Sequence, residues 1–151
     1  MHLSAVSRFF ATPCFPPGAG PDYVNAAIAV ESSLSPGELI ALLHTVEREF
    51  GRQRLERWGA RVLDLDLLAC GQAVYPDLPT QRAWMELAED RRSREVPQEL
   101  ILPHPRLQDR AFVLCPLMDI CPDWQHPVLK KTISQLYDSL PDEEIRAVRP
   151  L

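Results

Sequence analysis

The chain has 151 residues, 46% of them hydrophobic and 25% charged, with a formal net charge of −5. That length suits a single domain with one core, read here as one domain over 1–151. The acidic balance speaks against a nucleic-acid or membrane-surface binder, and no apolar run approaches the roughly 18 residues of a membrane span.

Met1-His2-Leu3-Ser4 lacks the basic and apolar regions of a signal peptide. The cysteines Cys14, Cys70, Cys115 and Cys121 form no C-x-x-C pair, so a structural zinc site is not expected. They read as free thiols in a reducing, cytoplasmic compartment.

Leu3 to Thr12, rich in β-branched and aromatic residues, predicts a strand. The proline- and glycine-rich stretch 13–21 predicts a loop. Tyr23 to Ser32 predicts a second strand, with Tyr23, Asn25 and Ala27 on one face and Val24, Ala26, Ile28 and Val30 on the other. Ser35 to Phe50 predicts a helix: Ser35 caps it, Pro36 opens it and Glu38 completes a capping box. Leu39, Leu42, Leu43, Val46 and Phe50 form its apolar stripe, and Gly51 suits the C′ position.

Val62 to Cys70 predicts a third strand, closed by Gly71. The polar segment 76–99 reads as a surface insertion, inert to function, with a short helix around Arg82 to Glu89. Leu100 to Leu102 and Ala111 to Leu117 read as strands, Thr132 to Leu140 as a helix, and 141–151 as a tail. Strands and helices mix without β-α-β alternation. That predicts an α+β fold, with helices packed on a largely antiparallel sheet.

The chemistry concentrates in Arg61-Val62-Leu63-Asp64-Leu65-Asp66-Leu67-Leu68. In an extended chain, residues two apart face the same way, so Asp64 and Asp66 share a side with Cα atoms roughly 6.5–7 Å apart. Two carboxylates on one side repel each other and resist desolvation, and a cation resolves both problems. Oxygen-only donors favour Mg²⁺, with phosphates and water completing its shell. Arg48, Arg52, Arg54, Arg57 and Arg61 precede this segment, and guanidinium forks match phosphate geometry. In Leu102-Pro103-His104-Pro105, flanking prolines fix the backbone around a potential phosphate donor, and Arg110 follows. Asn25 can read a heterocyclic amide, and the aromatic faces of Tyr23 and Trp58 can cover a flat ring.

Residues 57–68 closely resemble the signature of the 6-hydroxymethyl-7,8-dihydropterin pyrophosphokinase family of folate biosynthesis. Thr12-Pro13, 21–27, Glu47, Phe50-Gly51-Arg52, 102–105, Arg110-Ala111-Phe112 and Pro116-Leu117 follow in that family's order. The resemblance implies a ferredoxin-like α+β sandwich that transfers pyrophosphate from ATP to the pterin's hydroxymethyl oxygen and releases AMP. It implies that Asp64 and Asp66 hold two Mg²⁺ ions and act in catalysis with Arg52 and Arg61. It implies ATP contacts from Glu47, Arg52, Arg54, Arg57, Arg61, Leu67, His104 and Arg110. A pterin pocket is implied at Thr12, Pro13, Phe15, Tyr23, Asn25, Trp58 and Phe112. The partners so implied are ATP and the pterin, with no nucleic acid and no membrane, in a monomer or homodimer.

The chain departs from that family in lacking its opening strand, Gly-Ser-Asn-Leu and first helix. The resulting expectation is an N-terminally shortened core with exposed apolar surface and an open sheet edge. Pro105 and His44 also stand where some members carry Tyr and Gln. Two other classes share parts of the pattern: a truncated, non-catalytic homologue that binds nucleotide or pterin or acts through protein association, and a metal-dependent phosphohydrolase using the same aspartates.

Overall fold

The structure, a computed structural model, describes residues 1–13, 20–51, 63–92 and 94–151. The fold is α+β with antiparallel sheets, as expected, but the sheet is divided. β1 (His2–Val6) pairs with β4 (Ile28–Glu31), while β2 (Phe10–Thr12) lies between β3 (Tyr23–Asn25) and β5 (Arg149–Pro150). The two predicted strands are therefore each interrupted. The breaks face each other: Ser7 N–H donates to the Ala27 carbonyl at 2.9 Å, and Ser7 Oγ accepts from Ala27 N–H at 2.8 Å. This side-chain closure replaces the ladder and lets the chain pass from one sheet to the other.

The register places Phe10 opposite Asn25 and Thr12 opposite Tyr23. Those four residues therefore share a face, which turns inward at Phe10 and Thr12, both buried.

Helix α1 (Pro36–Gly51) begins as its sequence requires. Ser35 Oγ accepts from Glu38 N–H at 3.2 Å, and Ser35 N–H donates to the Glu38 carboxylate at 3.3 Å. Gly51 is the last helical residue, not the C′ residue beyond it. None of α1's residues is fully buried, and Phe50 in its apolar stripe stays 46% exposed. Leu3, Val6, Ile28 and Val30 of β1 and β4 are exposed as well.

Four expectations are corrected. Residues 63–70 enter no strand; the Leu65 amide bonds a side chain and the Leu68 carbonyl a loop. Leu100 to Leu102 forms no strand either, only a single bridge between Leu102 and Tyr75. Ala111 to Leu117 is helical, the start of α4 (Ala111–Ile120). A continuous apolar run does not distinguish a buried strand from a buried helix. Here the helix is covered on most sides, with Ala111, Val113, Leu114, Cys115, Pro116 and Leu117 all buried. Finally, 141–151 is not a tail. After α5 (Ile133–Asp138), it forms α6 (Asp142–Arg146) and β5, and buries Val148 against Phe10, Ala111 and Cys115.

α4 is the centre of the core. Val113, Leu114 and Leu117 pack with Ala27, Leu107, Ile133 and Leu136 on one side, while Ala111 and Cys115 pack with Phe10 on the other. α5 carries the full capping box of Thr132 and Gln135. The loop before it is organised by buried His126, whose Nδ1 accepts from the amides of Val128 and Leu129, both at 3.1 Å. The polar segment after Gly71 holds α2 (Leu78–Met85), capped by Asp77, and α3 (Glu89–Arg92). The sequence placed one helix four residues later than α2 begins. Among the described residues, no helix is long and apolar enough to cross a membrane.

Candidate active site

The segment 63–67 keeps the alternation read from its sequence. Leu63, Leu65 and Leu67 are half-buried, while Asp64 and Asp66 are exposed. Two hydrogen bonds clamp it. From α1, the Glu47 carboxylate accepts from Leu65 N–H at 2.8 Å. The Leu68 carbonyl accepts from His104 N–H at 2.8 Å, and the Leu68 side chain packs on the main core. The segment ends in a turn that needs Gly71, whose φ is +56°.

His104 is held as firmly. Tyr75 and Leu102 exchange backbone hydrogen bonds of 2.9 and 3.1 Å, and the Leu102–Pro103 peptide is cis. Gln81 of α2, fully buried, donates from Nε2 to the Pro103 carbonyl at 3.0 Å. Arg106 N–H donates to His104 Nδ1 at 3.2 Å, so in the neutral ring the proton resides on Nε2. Burial pushes the His104 pKa down, and Arg110 and Arg106 push the same way against the opposing pull of Asp66. His104 is thus a neutral Nε2–H donor at neutral pH.

Asp66, Leu67, His104 and Arg110 line one cavity of about 520 Å³. Ile40 and His44 of α1 form one wall, and Trp84, Arg92 and residues 95–99 form another. Arg110 caps the start of α4, and its guanidinium carbon lies 5.4 Å from the Phe112 ring centroid. Its pKa is lowered by burial first, then by the neighbouring cations Arg106 and Arg92, while Asp66 and Asp109 oppose the shift. Cationic groups that crowd and desolvate one another form a site for a polyanion.

Of the second group of expected residues, Thr12, Tyr23 and Asn25 lie side by side on the β2–β3 ladder. Asn25 Nδ2 donates to Thr12 Oγ1 at 3.0 Å, with Tyr23 opposite Thr12 across the ladder. Phe10 on that face packs against Ala111, the residue before partly exposed Phe112. Pro13 is exposed at the end of β2. Phe15, Arg52, Arg54, Arg57, Trp58 and Arg61 lie outside the described residues. Sequence reasoning missed Ile40, Trp84, Arg92 and Arg106 as cavity residues. Arg106, two residues beyond His104, was detectable from the Pro-His-Pro turn; Trp84 and Arg92 carried no signal within a polar stretch.

Among the described residues, no three His, Cys, Asp or Glu side chains group together in a way that could hold a metal ion. Asp64 and Asp66 therefore offer two hard oxygen donors and leave most of a cation's shell to ligand oxygens and water. That donor set fits Mg²⁺ shared with a phosphate-bearing ligand.

On an α+β scaffold, Asp66, His104, Arg106 and Arg110 line one cavity, an arrangement suited to a phosphate-bearing ligand. The match to known proteins makes this specific. The family model for 7,8-dihydro-6-hydroxymethylpterin-pyrophosphokinase matches residues 1–122, and the chain belongs to that family. The chain is 38% identical over 150 residues to the 2-amino-4-hydroxy-6-hydroxymethyldihydropteridine pyrophosphokinase of Synechocystis sp., covering 99% of this chain and 66% of the relative. The Haemophilus influenzae protein of the same name is 34% identical over 149 residues, 99% of this chain and 80% of the relative. The Pseudomonas aeruginosa protein of that name is 37% identical over 126 residues, 83% of this chain and 65% of the relative. The chain thus spans about two thirds of the Synechocystis and Pseudomonas proteins.

Proposed function

We propose that this chain carries the catalytic unit of a Mg²⁺-dependent pyrophosphokinase of folate biosynthesis. ATP and 6-hydroxymethyl-7,8-dihydropterin are its substrates. The carrying observation is that Asp66, His104 and Arg110 line one cavity, with the segment bearing Asp64 and Asp66 clamped to α1 and to the His104 turn.

In this reading the pterin's hydroxymethyl oxygen attacks the β-phosphorus of ATP. The bond between that phosphorus and the α-β bridging oxygen breaks, AMP leaves, and the hydroxyl proton passes to solvent. Asp64 and Asp66 would hold Mg²⁺, which would supply charge neutralisation along the triphosphate. His104 donates from Nε2 to a phosphate oxygen, and Arg110 contributes a charged contact. Arg52, Arg54, Arg57 and Arg61 are assigned phosphate contacts, and Arg52 and Arg61 a part in catalysis, by the family resemblance. Leu67 borders the nucleotide. Glu47 acts by positioning Leu65 and its flanking aspartates. Transfer of this kind rests on positioning and electrostatics, and no protein nucleophile is required.

The pterin pocket is assigned to Thr12, Pro13, Phe15, Tyr23, Asn25, Trp58 and Phe112, with Asn25 reading the heterocycle's edge. The Asn25–Thr12 bond fixes the amide's orientation in support of that role. The use of ATP and the free thiols Cys70, Cys115 and Cys121 support a cytoplasmic setting.

The test is AMP release by this chain with ATP, Mg²⁺ and the pterin, beside an Asp64→Ala control. Pterin-dependent AMP, lost in the control, is expected. ADP and phosphate formed without pterin would instead identify a phosphohydrolase. A folded chain that forms neither would be a non-catalytic homologue.

A further inference from the structure

We propose that Arg92 and Arg106 are additional phosphate-binding residues of the nucleotide cavity, and that segment 76–99, which contributes Arg92, is a working wall of the site. This rests on the assignment of the cavity to ATP. Both arginines line it together with Asp66, His104 and Arg110.

Protein acceptors among the described residues leave these guanidinium groups incompletely satisfied. Arg92 is buried to the point that 19% of its side chain is exposed, and its Nη1 lies 2.6 Å from Asp109 Oδ2. Its Nε is buried with no hydrogen-bond partner among the described residues, and the Nε of Arg106 is in the same condition. A guanidinium offers five N–H donors, and a buried donor without an acceptor is costly. An arginine that served only to anchor α3 would gain nothing from being buried in this state.

The surrounding charge points the same way. Arg92, Arg106 and Arg110 crowd one side of the cavity. The facing carboxylates are Asp66, Glu95 and Glu99. Glu95 is engaged by Arg91 at 2.9 and 3.1 Å, and Asp66 is directed to the metal in the proposed reaction. A triphosphate supplies the acceptors that the Nε groups of Arg92 and Arg106 lack among the described residues. Asp109, being half-exposed, can return to water when Arg92 exchanges it for a phosphate oxygen.

The experiment is calorimetric binding of α,β-methylene ATP with Mg²⁺ to the full chain. This analogue cannot undergo cleavage between its α and β phosphorus atoms. Arg92→Gln and Arg106→Gln are each expected to weaken binding about tenfold or more. Neither should change binding of adenosine, which lacks phosphate. Asp109→Asn breaks the same ion pair but keeps the guanidinium, and is expected to match or exceed wild-type affinity. If Arg92→Gln and Asp109→Asn weaken binding equally, Arg92 is only a strut and the proposal fails. Wild-type affinity in both arginine variants also overturns it, while leaving the ATP assignment intact. No nucleotide binding by the wild-type chain removes both. Should Arg92→Gln melt early, Arg106→Gln and Arg92→Lys, which keeps the charge but loses Nε, carry the test.

Discussion

The Glu47 carboxylate of α1 accepts a 2.8 Å hydrogen bond from the backbone N–H of Leu65, the residue between Asp64 and Asp66. A helix side chain thereby fixes the backbone from which both carboxylates, the proposed metal ligands, project. Glu47→Ala is expected to leave that amide without its partner and loosen the segment. A charge-assisted bond of this kind is worth about 1.5–3 kcal/mol. The expected signature is a raised Mg²⁺ requirement together with a lower urea midpoint, with Glu47→Gln retaining much of both. Normal Mg²⁺ dependence in Glu47→Ala would refute this role.

Asp64→Asn and Asp66→Asn keep side-chain shape and remove charge. Each should lower turnover by roughly a thousandfold or more, because neutralisation of the phosphates is the main chemical task. Both side chains are exposed, so the melting temperature should move little. Steady-state AMP formation and a thermal melt on the same samples check both halves of the expectation.

His104 is neutral because burial and two arginines depress its pKa. Its Nε2–H donor therefore persists as pH rises from 6.5 to 8, and its titration should leave no inflection in kcat/KM over that range. His104→Ala should raise KM for ATP about tenfold, since a hydrogen bond to a charged oxygen is lost. An ATP affinity that falls tenfold between pH 6.5 and 7.5 in the wild type would show that the imidazolium is the active form.

His126 makes a different pH prediction. Its pKa is lowered from 6.5 to about 4 by burial, and its Nδ1 is fully used by two amides. The unfolded chain therefore binds more protons between those values, and stability rises with pH across that window. Its contribution is fully present above pH 6.5 and is lost as pH falls toward 4. Urea midpoints across this range should show the slope. His126→Asn, whose amide oxygen can replace Nδ1 without titrating, should flatten it.

The chain's end is structural. Val148 is buried with Phe10, and Arg149 and Pro150 pair with β2, the strand carrying Thr12. Val148→Ala should cost about 1–2 kcal/mol through lost burial and the cavity left behind. Arg149→Ala should cost little, because its 3.2 Å pair with Asp22 is exposed. Equal losses in the two variants would contradict this division.

Where local chemistry decides the outcome, the sequence alone was sufficient. The Ser35 capping box sets the start of α1, and Gly71 sets the turn after the aspartates. The alternation of leucine and aspartate fixes which side chains share a side, since that depends only on extended backbone geometry. The resemblance of residues 57–68 and of the motifs flanking them in order pointed to the family and implied the expected site residues. The tertiary structure decided everything that depends on a partner distant in sequence. Residues 63–70 lie in no ladder, and Glu47 and the His104 turn bond the Leu65 amide and the Leu68 carbonyl. Ala111–Leu117 is a helix because it is covered on most sides, a condition that no periodicity records. Residues 149–150 become a strand only because β2 offers an edge. Arg92 lines the cavity while paired with Asp109, 17 residues along the chain, a contact that no local pattern encodes.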